Sequence, residues 1–281
     1  MIFLSAIEDL TPVYRYHTRL DVPYFFETPF DIWKESFTSD IDGNGRKLFR
    51  QLTTIGVYQN GDLIGYIQYG HTAFGFDAQG EISSNVSYPV IRNLYFSPEQ
   101  EEAGRLLLQS ALSFLGAEQV VYAFFHYFGM SCYARHGKLF EKHSHIEKLL
   151  KAHGFETEHT NVYYSSELPE NAQSEVTLVP QDLTGGNQQY MDFFLSGQQV
   201  GGCEVHFVNE TVAYLRWIYV NGPMTKQGIG TKCMHALQQW LRTKGCTRLD
   251  TDTADSNEVA QHFYEKAGFY REGITRSFYR K

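Results

Sequence analysis

Apolar positions along this 281-residue chain follow two rhythms, alternating in short runs and recurring every three to four residues in longer ones. The same order of elements emerges twice. Asn60-Gly61 is a tight-turn pair followed by Leu63-Ile64-Gly65-Tyr66-Ile67, and Ser196-Gly197 is followed by Gln199-Val200-Gly201-Gly202-Cys203. Both stretches read as strand, turn, strand. The strands Ile91-Arg92-Asn93-Leu94-Tyr95-Phe96 and Leu215-Arg216-Trp217-Ile218-Tyr219-Val220 come next and match position by position in residue type. Each leads to a glycine and a helix. Leu107, Leu108, Ala111, Phe114 and Leu115 hold the places of Cys233, Met234, Leu237, Trp240 and Leu241, and both sets are expected to face a sheet. A later helix in each half ends in Gly-Phe, at Gly154-Phe155 and Gly268-Phe269. Four correspondences in one order point to a tandem duplication.

The polar stretch 165–174 interrupts the periodicity, so it is expected to separate two α/β (α+β) domains, 1–168 and 169–281, each a mixed sheet with flanking helices. The halves differ. The first carries a lead-in of about fifty residues with helical stretches expected over 10–20 and 30–52, while the second has only 176–186 before its first hairpin strand. The second also lacks a counterpart of the aromatic segment 122–140. An active site in the second half would then need a wall from the first.

Composition narrows the function without naming it. With 42% apolar and 20% charged residues the chain reads as an ordinary globular protein. A net charge of −8 with no basic block argues against nucleic acid as a partner. Cys132, Cys203, Cys233 and Cys246 are far apart and form no CxxC pair, the pattern of buried, reduced thiols. The N-terminal MIFLSAIEDL has no basic n-region, and no window approaches the ~18 apolar residues of a membrane span. A cytoplasmic protein that does not enter membranes is expected.

The richest segment is 219–269. It leaves a strand, passes Met224-Thr225-Lys226-Gln227-Gly228-Ile229-Gly230-Thr231 and opens an amphipathic helix. A helix start presents free N–H groups at the positive end of the helix dipole, and glycine lets a phosphate approach the main chain. A strand follows, then Asn257 and Phe263-Tyr264-Glu265-Lys266-Ala267-Gly268-Phe269.

In this order of motifs the second half resembles the GNAT superfamily of acyl-CoA N-acyltransferases. Their pyrophosphate loop reads Arg/Gln-x-x-Gly-x-Gly/Ala and is followed by an Asn and a Tyr-x-x-x-Gly-Phe segment. Thr225 departs from the pattern, standing where the family has Arg or Gln. The resemblance implies an N-acetyltransferase that moves the acetyl group of acetyl-CoA to a primary amine of a small molecule or peptide, without a metal. It implies that Lys226, Gln227, Gly228, Ile229, Gly230 and Thr231 hold the pyrophosphate, with Tyr219, Val220 and Asn257 toward the pantetheine arm. A main-chain N–H near Val220 would serve the oxyanion, and Tyr264 would protonate the departing thiolate. Asn257 also suits the cap of a helix beginning at Glu258. Alternatives are a CoA-binding regulator without turnover, or a transferase for aminoacyl or long-chain acyl donors.

The first half departs from the motif. Glu99, Glu101 and Glu102 sit where phosphate would bind, only Gly104 remains of the two glycines, and Leu150 replaces Tyr264. It is expected to be retained in fold and silent in catalysis, with Gly230→Glu abolishing acetyl-CoA binding and Gly104→Glu leaving it intact. Glu204 and Asp252 are candidate bases, and neither is assigned. His143, His145 and His153 invite a metal reading, but spacing of two does not put the first pair on one helical face, so a solvated surface is the expectation.

Overall fold

The computed structural model describes residues 2–42, 45–116, 120–171, 173–181, 187–222 and 227–281. Contacts divide the chain into two compact units, one of residues 1–160 with 275–281 and one of residues 161–274. The chain therefore crosses inside a strand rather than in the polar stretch, and its last residues return to the first unit. The expected second domain, 169–281, is thus shifted: 161–168 join it and 275–281 leave it. Main-chain pairing accounts for both shifts, as the strand pairs below show.

The first unit contains β1 (Ile2–Ala6), α1 (Thr11–His17), α2 (Phe30–Thr38), β2 (Phe49–Gln59), β3 (Asp62–Thr72), β4 (Gly75–Phe76), β5 (Ile82–Ser83), β6 (Pro89–Phe96), α3 (Glu101–Leu115), β7 (Val121–Ala123), β8 (Leu139–Phe140) and α4 (Ser144–Ala152). Strand β9 (Glu156–Glu167) leads into the second unit, which adds β10 (Thr177–Pro180), β11 (Gln188–Leu195), β12 (Gln198–Phe207), β13 (Val212–Val220), α5 (Ile229–Thr243), β14 (Arg248–Ala254), α6 (Glu258–Lys266) and β15 (Tyr270–Arg280). Sheet order is β1-β2-β3-β6-β7-β15 in the first unit and β9-β14-β13-β12-β11-β10 in the second. Residues 161–167 of β9 pair with β14, and the end of β15 pairs with β7, which fixes the two transfers of chain.

Both predicted tight turns form, with Asn60 and Gly61 at φ 55° and 92° and Ser196 and Gly197 at 53° and 79°. Those left-handed pairs match the twist of the flanking strands. The duplication extends to irregularities that no residue pattern announced. The β3–β6 ladder skips Arg92 and the β12–β13 ladder skips Arg216, the matched arginines. The β2–β3 ladder likewise skips Ile64, and β11–β12 skips Val200. A bulge reverses which face the following side chains take, so each half re-aims the end of its central strand in the same way.

Two expectations over local structure need correction. The helix expected over 30–52 ends at Thr38, and Phe49 already begins β2; Asp42 and Gly45 fall between them in a turn closed by Asp42 and Arg46. Phe114 is not buried against the sheet as its row is: it is 42% exposed at the margin, its ring tilted on that of Tyr69 of β3 with centroids 5.3 Å apart, while Leu107, Leu108, Ala111 and Leu115 are buried. Each unit has its own core, the first around Val13, Trp33, Phe37, Leu94 and Leu107, the second around Phe193, Val205, Leu215, Met234 and Leu249. All four cysteines are buried and free, as expected. No helix among the described residues is long and apolar enough to cross a membrane.

Candidate active site

The site begins where two parallel strands part. The β13–β14 ladder runs from Val212/Arg248 to Leu215/Thr251, yet β13 continues to Val220 and β14 to Ala254. Thr251 Oγ1 donates to Leu215 O at 2.9 Å, at the end of that ladder. Beyond this point β13 is held from one side only, by β12. Asn221 N donates to Val200 across that side at 2.8 Å. Alternation along a strand then turns the N–H groups of Val220 and Ile218 the other way, into the gap.

The gap is a cleft of about 430 Å³ lined by Tyr219, Val220, Gly228, Gly230, Thr231, Asn257 and Tyr264, together with Ile218, Val259, Ala260, Phe263 and Lys266. At one end lies the start of α5. Gly228 caps it at φ 77°, a backbone conformation that favours glycine. The first turn carries no acidic residue, and no side chain caps it. The earliest α5 N–H bonded back within the helix is that of Lys232, to Gly228 O. The N–H groups of Ile229, Gly230 and Thr231 therefore stand at the positive end of a four-turn dipole. A Cβ on Gly230 would lie 3.2 Å from the Phe263 ring and 3.7 Å from Val220, so the missing side chain keeps the cleft open.

Helix α6 forms the other wall. Asn257 caps it, Oδ1 accepting from Ala260 N at 3.2 Å. Spacing along the helix turns Val259, Ala260, Phe263 and Tyr264 to one side, and Val259 is 83% exposed. Tyr264 is buried to 6% exposure, among Phe263 and Phe269. Burial pushes its phenol above the ordinary tyrosine range, partly offset by its bond with Thr251, the residue at the fork.

Most of the residues expected at the cofactor are thus brought together. Ile229 is not at the surface of the cleft, since its side chain is buried in the core. Gln227 is exposed and outside the lining, and Lys226 lies outside the described residues. Lys266 and the apolar face of α6 were missed. Their signal was available in the helical spacing that follows Asn257.

The opposite face of β13 carries a different chemistry. Tyr190, Trp217 and Tyr219 form a row with ring centroids 5.8 and 5.7 Å apart. Trp217 and Tyr219 are 38% and 46% exposed. Tyr219 extends across β12 because Gly202 has no side chain there: a Cβ would lie 3.1 Å from its ring. Beneath the row, Glu204 accepts from Trp217 Nε1 and pairs with His206 Nε2, each at 2.7 Å. Although burial opposes ionisation, His206, Arg216 and the indole hold this carboxyl below its usual range. Asp252 accepts from Tyr214 and, at 2.7 Å, from Asn161. Both candidate bases are committed to donors.

The first unit closes the matching fork. Its β6–β7 ladder also ends early, at Ile91/Ala123, but all of β6 is buried. The Phe96 ring lies against Gly104, where a Cβ would meet it at 2.4 Å. His145 Nε2 bonds Phe96 O at 2.7 Å, so the carbonyl matching that of Val220 is already satisfied. Glu101 and Glu102 occupy the first turn of α3. Gly104→Glu is therefore a test of folding rather than of ligand binding, which corrects its expected neutrality. The solvated helix surface expected for His143, His145 and His153 is not what forms: all three are partly buried, His145 on the Phe96 carbonyl and His153 with Nδ1 bonded to Leu149 O at 2.9 Å.

Residues 151–269 match the family model described as the Acetyltransferase (GNAT) family. Over these residues the chain is similar to the GNAT family. Among curated relatives, the aminoglycoside N(6')-acetyltransferase type 1 of Salmonella typhimurium is 28% identical over 92 residues, 33% of this chain and 60% of that protein. The enzyme of the same description from Serratia marcescens is 30% identical over 99 residues, 35% of this chain and 64% of that protein. The chain thus spans about three fifths of the length of the curated relatives it matches. Solved structures agree on the duplicated fold. A tandem GNAT protein from the clavulanic acid biosynthesis pathway superposes with a TM-score of 0.62 at 10% identity, covering 99% of this chain and 98% of that one. A GCN5-related N-acetyltransferase from Sphaerobacter thermophilus gives 0.62 at 11% identity, covering 99% and 95%. Of the two units of this duplicated fold, the second carries the open fork.

Proposed function

We propose that the second unit binds acetyl-CoA and transfers its acetyl group to a primary amine of a small molecule in the cytoplasm. One observation carries this reading: a single cleft joins free helix-start N–H groups, an unpaired strand edge and a tyrosine hydroxyl. Pyrophosphate bonds to the N–H groups of Ile229, Gly230 and Thr231 would contribute about 1.5–3 kcal/mol each. The apolar face of α6 suits the pantetheine arm, and Lys266 adds a cation beside the phosphates.

The neutral amine attacks the thioester carbonyl, forming the C–N bond. The Val220 N–H receives the oxyanion, the C–S bond breaks, Tyr264 gives its proton to the thiolate, and the proton shed by the new amide nitrogen returns through water to the phenolate. An amine of ordinary pKa near 10.4 must first lose a proton, at a cost of about 4.6 kcal/mol at pH 7. With Glu204 and Asp252 bonded to donors, that proton leaves through water. The aromatic row over ionised Glu204 suits a cationic acceptor with a ring that can stack. The names of the matched relatives bring amino-sugar acceptors forward. The first unit, with its fork filled, is read as silent.

The test is calorimetric titration of acetyl-CoA into the wild type and Gly230→Glu, with melting curves to confirm folding. Binding in the wild type and its loss in a folded variant are expected; equal binding would overturn the assignment. A second reading, a CoA-binding regulator, draws on the commitment of both candidate bases. Acetyl-CoA binding without release of CoA thiol over a panel of amino sugars and polyamines would favour it.

A further inference from the structure

The first unit holds a cluster that the acyl-transfer reading does not use. His126 begins a short 3-10 turn (His126–Phe128) after β7, and Glu158 and His159 are neighbours on β9. Their ligand atoms all lie within 4.8 Å of one another, the group of three among the described residues that does so. We propose that His126, Glu158 and His159 bind one divalent transition-metal ion, zinc foremost, within the first unit.

Geometry argues first. Glu158 Oε1 and His159 Nε2 are 3.8 Å apart, too far for a direct hydrogen bond. Ligands on a tetrahedral zinc with bonds of about 2.0–2.2 Å sit roughly 3.3–3.5 Å apart, so this gap needs only slight closure. The His126 and His159 rings meet edge to face, centroids 5.0 Å apart. Two imidazoles therefore converge beside one carboxylate.

The surroundings orient these groups. Ser277 is buried and donates through Oγ to Glu158 Oε2 at 3.0 Å, leaving Oε1 for an ion. A hydrogen bond on the far oxygen is how outer partners fix a ligating carboxylate. Phe125 and Tyr127 flank the His126 ring at 5.1 and 4.0 Å. His159 has a side chain 52% exposed, so an ion has a path from solvent and water can complete its shell.

Donor chemistry selects the ion. Two nitrogens and one oxygen suit zinc, nickel or copper(II), whereas magnesium and calcium want oxygen cages. Copper(I) would want thiolates, and all four cysteines are buried elsewhere. A bound ion ties the turn after β7 to β9.

The test uses the full chain, free of any histidine tag and stripped with chelator, in calorimetry with zinc chloride and magnesium chloride. About one zinc per chain with micromolar dissociation, and no magnesium binding, is expected. His126→Ala and His159→Ala should each weaken zinc at least tenfold and lose its effect on the melting temperature. His153→Ala removes an imidazole elsewhere and should leave both unchanged. Zinc binding that survives both ligand changes, or falls equally in His153→Ala, would overturn the proposal. Should His126→Ala not fold, the exposed His159 gives the decisive variant. None of these residues belongs to the second unit, so failure here would leave the acyl-transfer reading standing.

Discussion

Tyr264 and Leu150 stand at matched positions of the two units, and the difference between them is one of chemistry rather than packing. Both are buried and both anchor a helix to a sheet. Only the tyrosine brings a proton donor to an open fork. Burial raises its pKa above the ordinary value, so the phenol stays protonated through neutral and mildly alkaline solution. Tyr264→Phe keeps the ring and its contacts with Phe263 and Phe269. It should lower kcat about a hundredfold while leaving KM for acetyl-CoA and the melting temperature unchanged. Steady-state kinetics decide it: full kcat in the phenylalanine variant would assign the tyrosine to packing. Tyr264, Gly228 and Asn257 were legible in the sequence because each sits in an ordered local motif. Glu204 under Trp217, and His145 on the Phe96 carbonyl, were not. Those contacts depend on cross-strand register and on which way a bulge turns a side chain, and neither is a local property.

At the scale of elements, the two central strands show how one bulge position serves different ends. Arg216 in the second unit is partly exposed, whereas Arg92 in the first is buried and bound on all sides. Its guanidinium donates to Ser36 O and Phe37 O at the end of α2, to Phe128 O and Gly129 O, and to Asp40 at 2.5 Å. A positive group at a helix C-terminus satisfies carbonyls that have no partner within the helix. The lead-in helix α2 is thereby fastened to β6, and the Asp40 carboxylate balances the buried charge. Asp40→Ala should cost about 3–5 kcal/mol, because it leaves a buried guanidinium without its counter-ion. Urea unfolding of the first unit would show it, and a loss below 1 kcal/mol would mean that the carbonyls alone suffice. The sequence announced a lead-in with helices, but not where α2 stops. Asp40 and Asp42 read as helix-compatible polar positions until Arg92 and Arg46 are seen to claim them.

At the scale of the molecule, separate cores allow separate responses to pH. The first unit buries His17 completely, stacked on Phe25 at 4.2 Å and bonded through Nδ1 to Tyr66 OH at 2.5 Å. Burial, with the Arg92 charge, lowers its pKa to about 3, and burial with the His145 charge lowers that of His143 to about 4. Both histidines are therefore neutral in the folded unit at pH values where the unfolded chain, with ordinary pKa near 6.5, takes up protons. Between those limits the unfolded state binds more protons, so stability rises with pH and is lost as pH falls from about 6.5 toward 3–4. In the second unit the Glu204–His206 pair holds the carboxyl below its usual range. Of the three tryptophans, Trp33 is buried in the first unit and Trp217 and Trp240 lie in the second. With the latter two replaced by phenylalanine, fluorescence during urea unfolding reports the first unit alone. Its stability should fall by up to about 1.4 kcal/mol per pH unit per histidine between pH 6 and pH 4.5. His17→Gln can still bond Tyr66 but does not titrate. That variant should start less stable at pH 7 and show a shallower slope; a slope equal to that of the parent would remove His17 as the acid-sensitive group.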